Sequence, residues 1–235
     1  MTFRKFFTLT TILFAAFSFV SCSSDDDDDN NKNENDKNVV DGNHEYVDLG
    51  LPSGTLWATC NVGASKPEEY GDYFAWGEIE PKKTYEYENY KLGTKEGKVT
   101  KYCTNSSWGV VDNKLELLPE DDAATVNWGS SWCMPSKDQF DELKSSDYTT
   151  IEQTTLNGVA GVKVTSKKNG KTLFFPETGE YWYGKCSHND MGTYWTRSVE
   201  ETGSTAAYVV DLYSGGWGVR PRPTGYPVRP VRVKK

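Results

Sequence analysis

The sequence predicts an α+β domain made mostly of antiparallel strands, with two short helices and long connecting loops. Three observations point to that class. Leu is scarce and long helical periodicities are few, while 8 Trp, 14 Tyr and 10 Phe supply much of the apolar material, a composition that fits pleated, half-buried surfaces. Alternating segments are separated by turn residues, including the hairpin signal Asn169-Gly170. Helix-start chemistry is clear at only two places, near Pro119 and Ser136.

The N-terminus precedes the domain. Arg4 and Lys5 are followed by residues 6–20, apolar apart from Thr and Ser. This charged-then-apolar layout is that of a secretory signal. The apolar stretch of about 15 residues falls short of the ~20 a membrane-spanning helix needs. Phe19-Val20-Ser21-Cys22 resembles a bacterial lipobox, which predicts cleavage after residue 21 and lipidation of Cys22. Several acyl chains give stable membrane attachment where one is marginal. Residues 22–43 then carry Asp25-Asp26-Asp27-Asp28-Asp29 and an Asn-rich run. Dense like charge repels itself and buries nothing, so this segment reads as a disordered tether. Ser and acidic residues just after the lipid Cys resemble the surface-export signal of Bacteroidetes lipoproteins, which implies display on the outer face of the outer membrane.

The domain occupies residues 44–235. Residues 46–49 and 55–59 alternate around Leu51-Pro52-Ser53-Gly54 and predict a hairpin. A short strand is expected over 72–76, between Gly71 and Gly77. Residues 80–115 are polar, Tyr-rich and irregular, and read as a long excursion. Pro119 with Glu120, Asp121 and Asp122 opens a first short helix ending near Gly129. Ser136-Lys137-Asp138-Gln139 is a capping box opening a second, which ends near Ser145 and carries Phe140 and Leu143 on one face. Strands are then expected over 161–166 and 172–175 about the Asn169-Gly170 turn, and over 193–197, 206–212 and 227–233. Gly215-Gly216-Trp217-Gly218 reads as a flexible loop.

The formal net charge is −8, and residues 1–21 hold two positive charges, Arg4 and Lys5, and no acid, so the remainder carries −10. Nucleic acid is a poor partner for that balance, because phosphate contacts need Lys and Arg clusters. Cys60, Cys103, Cys133 and Cys186 follow Cys22. An exported protein keeps disulfides, and four Cys allow three connectivities. No Cys-x-x-Cys pair is present and only His44 and His188 could assist a zinc site, so disulfides or inert thiols are favoured over metal.

Several stretches resemble one known family. Tyr46-Val47-Asp48-Leu49-Gly50-Leu51-Pro52-Ser53-Gly54-Thr55-Leu56-Trp57-Ala58-Thr59-Cys60-Asn61-Val62-Gly63-Ala64 looks like the opening of the Fibrobacter succinogenes major paralogous domain. Gly71-Asp72-Tyr73-Phe74-Ala75-Trp76-Gly77-Glu78, Asp121-Asp122-Ala123-Ala124, Trp132-Cys133-Met134-Pro135-Ser136, residues 158–166 and the closing Val228-Arg229-Pro230-Val231-Arg232 follow in order. The resemblance implies a surface lipoprotein of gut or oral Bacteroidetes and a C-type lectin-like fold with a curled antiparallel sheet. It brings no catalytic residue and no cofactor. Cys133 stands where the family usually has Arg. On that resemblance Cys133 is expected to pair with Cys186, and Cys60 with Cys103.

The sugar-coordinating calcium triplets of C-type lectins are missing; the nearest material is Pro176-Glu177 and Asn189-Asp190, too few oxygens for a calcium ion. The reactive Cys pair of formylglycine-generating enzymes is better explained here as disulfides. A Ser-His-Asp triad drawn through His188 and Asp190 lacks the Gly-x-Ser-x-Gly elbow. Neither a metal nor a catalytic site is therefore expected. The best binding candidates are rings in Gly-rich segments, Tyr181, Trp182, Tyr183, Trp217 and Tyr226, with Trp57, Trp76, Trp128, Trp132 and Trp195 assigned to the core. Trp182 and Trp217 are expected on one exposed face. The function expected is a non-catalytic binding or adhesion module for a glycan or an extracellular protein, with a structural role in a cell-surface complex as the alternative.

Overall fold

The computed structural model describes residues 39–41, 43–187, 192–201 and 205–233, all within one compact unit, Asp36–Lys235. The signal segment, Cys22, the Asp25 to Asp29 run, His188, Asn189 and Asp190 lie outside the described residues.

Small antiparallel sheets and two short helices make up the domain, an α+β architecture that is mostly β. The first sheet has the order β1-β2-β3-β14: Val39–Asp41, His44–Asp48, Thr55–Ala58 and Val231–Val233. β2 and β3 form the expected hairpin, with Val47 opposite Trp57. β14 adds the end of the chain to its beginning, with Val231 opposite Trp57. β1 was not anticipated. It places paired backbone inside the segment assigned to the tether, and Val39 and Val40 are the first apolar residues after the acidic run.

β4 (Tyr73–Phe74) pairs with β13 (Tyr226–Pro227). The expected strand over 227–233 is thus two pieces, β13 and β14. Pro230 has no N–H for a ladder, and its carbonyl instead accepts from Ala58 N at 3.0 Å. The region 80–115 is irregular as expected, with one 3-10 turn over Tyr87–Asn89.

Both helices form where the capping chemistry places them. A 3-10 turn, Pro119–Asp121, leads into α1 (Ala123–Trp128), where Asp122 accepts from Thr125 N. α2 (Lys137–Lys144) starts at the Ser136–Gln139 capping box and buries Phe140 and Leu143. After α2 comes a meander: β5 (Thr149–Leu156), β6 (Val159–Ser166) and β7 (Thr172–Pro176). β5 escaped the sequence reading because residues 152–155, Glu-Gln-Thr-Thr, are all exposed and so carry no alternation. β8 (Glu180–Trp182) and β9 (Lys185–Ser187) form a tight hairpin. β10 (Thr193–Val199), β11 (Ala206–Asp211) and β12 (Gly216–Pro221) form the last sheet. The segment expected to be a flexible Gly loop is therefore largely β12, with Trp217 opposite Val210. A Cβ on Gly218 would stand 3.3 Å from Val209 Cγ2, so the glycine lets the two strands approach closely.

Two large clusters share the core with a small one of Ala75, Tyr85 and Tyr90. One gathers Trp57, Phe140, Leu143, Phe175 and Tyr194 between α2 and the sheets. The other gathers Phe74, Trp76, Tyr102, Trp195 and Tyr226. Of the Trp residues assigned to the core, Trp57, Trp76, Trp132 and Trp195 are buried. Trp128 is half-buried and stacks on His44, with centroids 3.7 Å apart. Two buried arginines tie loops to this core. Arg229 donates to the carbonyls of Ala58, Thr59 and Phe174 and to Asn61 Oδ1, and lies over the Phe175 ring. Arg222 is fully buried. It donates to the carbonyls of Lys101 and Tyr102 and lies 4.7 Å from the Trp76 centroid, pinning the long excursion to the core.

The expected disulfides are not formed. None of Cys60, Cys103, Cys133 and Cys186 is disulfide-bonded, because each sulfur sits in a different setting. Cys103 is buried and donates to Asn105 O at 3.1 Å. Cys133 lies against Val231 O and Arg197 Nη1. Cys60 contacts Thr59 Oγ1 at 3.6 Å, and Cys186, exposed on β9, interacts with the Tyr73 hydroxyl.

Candidate binding site

The five rings expected to bind do not form one site. Tyr226 is fully buried and packs edge-on against Trp195 at 5.0 Å; burial and the neighbouring Glu180 raise its hydroxyl pKa. Its place in β13, paired with Phe74 of β4, makes it core, and it leaves the candidate list. Trp217 is half-buried on β12 and belongs to α2. Its indole N–H donates to Asp141 Oδ1 at 2.7 Å, and the ammonium groups of Lys137 and Lys144 lie 4.8 and 4.6 Å from its centroid. Its ring contacts are with Phe140 and Tyr208, whereas those of Trp182 are with Tyr87 and Tyr183. The shared face expected for Trp182 and Trp217 is absent from these contacts. Glycine and charge nearby in the sequence do not mark a free ring: the groups that cover Trp217 are Asp141, Lys137 and Lys144, all from α2.

Tyr181, Trp182 and Tyr183 stay together on the β8–β9 hairpin. Tyr181 is half-buried and fills the space between Tyr73 and Tyr85, while its backbone pairs with Gly225. Trp182 turns the other way. It meets Tyr183 at 4.8 Å and Tyr87 at 6.1 Å, both edge-on. Tyr183 is 56% exposed and forms the hairpin turn with Gly184, at φ +47° and +71°. Positive φ at both turn positions is the type I′ pattern, which strongly prefers Asn-Gly. A Tyr there costs about 1–2 kcal/mol relative to a residue suited to the left-handed region.

Tyr87 carries this series into a shallow cleft of about 380 Å³ lined by Tyr87, Glu88, Lys95, Glu96, Gly97, Trp108 and Thr205. Trp108 is 45% exposed. The backbone of the excursion holds both rings. Asn89 fixes the Tyr87 turn, donating to Thr84 O and Thr84 Oγ1 and accepting from Lys82 Nζ. Lys82 is in turn paired with the buried Glu78 at 2.9 Å. Trp108 N donates to Asn105 O, and Val99 N donates to Trp108 O, both at 2.9 Å. Gly109 must be glycine, since a Cβ would stand 1.9 Å from Val99 O. Burial, and then the neighbouring Tyr183, push the Tyr87 hydroxyl pKa up. A hydrogen bond from Thr94 holds the Glu96 carboxyl below its usual range.

Two other clefts offer less. One of about 310 Å³ includes His44, Cys60 and Trp128. There the Trp128 face is covered by His44 at an interplanar angle of 5°. Burial raises the Cys60 pKa, so its sulfur is held as the unreactive thiol. Another, of about 320 Å³, is lined by Thr154, Thr155, Leu156 and Phe174, and its one ring, Phe174, is 8% exposed. Among the described residues there is no group of three or more His, Cys, Asp and Glu placed to hold a metal ion, and no helix long and apolar enough to cross a membrane.

No family model, curated protein or solved structure matches the chain. Tyr87 and Trp108 were absent from the sequence-derived candidates because they fall in the stretch read as irregular. The available signal was Trp108 itself, set among Asn105, Ser106, Ser107 and Gly109.

Proposed function

We propose that this protein is a lipid-anchored surface module that binds glycan, without catalysis, through the rings of the β8–β9 hairpin and the long excursion. The observation that carries this reading is the series Tyr183, Trp182, Tyr87 and Trp108, in contact or lining one cleft, with its outer members exposed. Aromatic faces with polar edges suit sugar rings, and binding residues favour loops held by a rigid scaffold. The domain fits a C-type lectin-like fold and the Fibrobacter succinogenes major paralogous family. Support comes from the pairing of the first and last strands, the two short helices and the long excursion pinned by Arg222. Cys22 is the proposed lipid acceptor, and the acidic run after it the signal for display outside the outer membrane.

A glycan array probed with the mature chain carrying Cys22→Ser, which removes the lipid acceptor, tests the reading. Binding that falls in Trp108→Ala supports it; an array with no binding contradicts it. A second reading, assembly with another surface protein, is favoured by the exposed apolar residues Trp108, Val110, Val111 and Leu115. It predicts co-purification of a partner from membranes and loss of that partner on Val110→Asp.

A further inference from the structure

We infer that the cleft between Tyr87 and Trp108 selects neutral oligosaccharides and rejects acidic ones. The inference rests on the glycan reading above and adds the class of sugar. Glu88 and Glu96 stand on the cleft wall with Lys95, and Lys98 lines the narrow crevice adjoining it. Arg, the side chain suited to gripping a carboxylate or sulfate with two parallel bonds, is absent from these linings. The two carboxylates are balanced by two ammonium groups, so an acidic sugar entering here loses hydration and meets no net positive charge in return. The chain as a whole is anionic, at −8, which disfavours the approach of polyanions at low salt.

A neutral sugar meets no such penalty. Its apolar ring face stacks on Trp108 or Tyr87, and its hydroxyls meet the carboxylates as strong acceptors. Thr205 adds a hydroxyl on the same wall. The ring series continues from Tyr87 through Trp182 to the exposed Tyr183, so a chain of several sugars gains contacts a disaccharide cannot reach. Affinity therefore rises with oligosaccharide length and changes little with salt, since no ion pair is needed.

The test uses the mature Cys22→Ser chain and oligosaccharides of glucose, mannose and galactose at graded lengths, each beside its sulfated counterpart. The expected result is binding of at least one neutral series, a weakening of about tenfold or more on sulfation, and an affinity independent of salt. Glu88→Gln with Glu96→Gln leaves Lys95 and Lys98 unopposed; it is expected to strengthen binding of the sulfated form about tenfold or more, while the neutral form weakens as its charged acceptors are lost. Sulfated sugars bound by the parent protein as well as neutral ones would overturn this inference and leave the glycan reading standing. The same holds if the double Gln variant gains nothing for sulfated sugars. If neither series binds, both fall.

Discussion

Tyr183 occupies a turn position where Asn or Gly would sit without strain, and its ring is 56% exposed. Strained conformations that persist at exposed side chains point to function. Replacing Tyr183 with Asn is expected to raise stability by about 0.5–1 kcal/mol, as relief of such strain does, while glycan affinity falls. Chemical unfolding and a binding titration on the same sample check both signs; a less stable variant would mean the Tyr183 ring is needed for packing. Asp122 shows the opposite balance. It caps α1 and accepts from Met134 N at 2.8 Å, yet burial raises its pKa above 3.8 more than these bonds lower it. The folded state therefore holds the proton more tightly than the unfolded chain. The stability from this group is complete below about pH 3.8 and is lost as pH rises through the raised folded value. Asp122→Asn should thus gain on the parent as pH increases, in unfolding curves across the acid range; a gain on lowering pH would contradict the assignment. The thiols give a third check. Denatured, non-reduced mature Cys22→Ser protein is expected to titrate as four thiols, with native Cys186 alkylated first because it alone is exposed. A count of two would restore one of the disulfides expected from the sequence, and a count of zero both.

At the scale of elements, the parts legible in the sequence were those with local chemistry. The Ser136–Gln139 capping box and the Phe140–Leu143 spacing gave α2, and the Leu51 to Gly54 turn gave the β2–β3 hairpin. The elements that were missed lack such signals. The hairpin β8–β9 turns on Tyr-Gly, and β12 runs through two glycines and a proline at positions where packing against β11 decides the outcome. The candidate site was half legible for the same reason. Trp182 and Tyr183 declared themselves beside Gly184, but nothing local ties them to Tyr87, which is 95 positions earlier than Trp182. Trp217 misled because its covering lysines come from α2. The excursion is itself testable as an element. Gly109→Ala drives a Cβ toward Val99 O, so it should displace Trp108 and abolish glycan binding. The melting temperature should fall only modestly, because neither Val99 nor Trp108 belongs to a core cluster. Unchanged binding in Gly109→Ala would show that the position of Trp108 does not matter.

Across the whole molecule, the two ends of the domain are paired in one sheet, through β1, β2, β3 and β14. The excursion is held by Arg222 and by the Lys82–Glu78 pair. A domain built this way presents a fixed set of rings from the β8–β9 hairpin and from an excursion that has little regular structure of its own. The central claim is that those rings bind. Its most direct test is calorimetric titration of a neutral oligosaccharide from the array into the mature Cys22→Ser chain and into the same chain with Trp108→Ala and Tyr183→Ala. Both rings are exposed, so their removal should shift stability by no more than about 0.5 kcal/mol for each site. Loss of the stacking they provide should lower affinity by about 1–3 kcal/mol for each ring, by analogy with bases stacked on aromatic side chains. Heats that vanish in a variant with an unchanged melting temperature are the predicted result. Heats equal to the parent's, in an equally well folded variant, would contradict it.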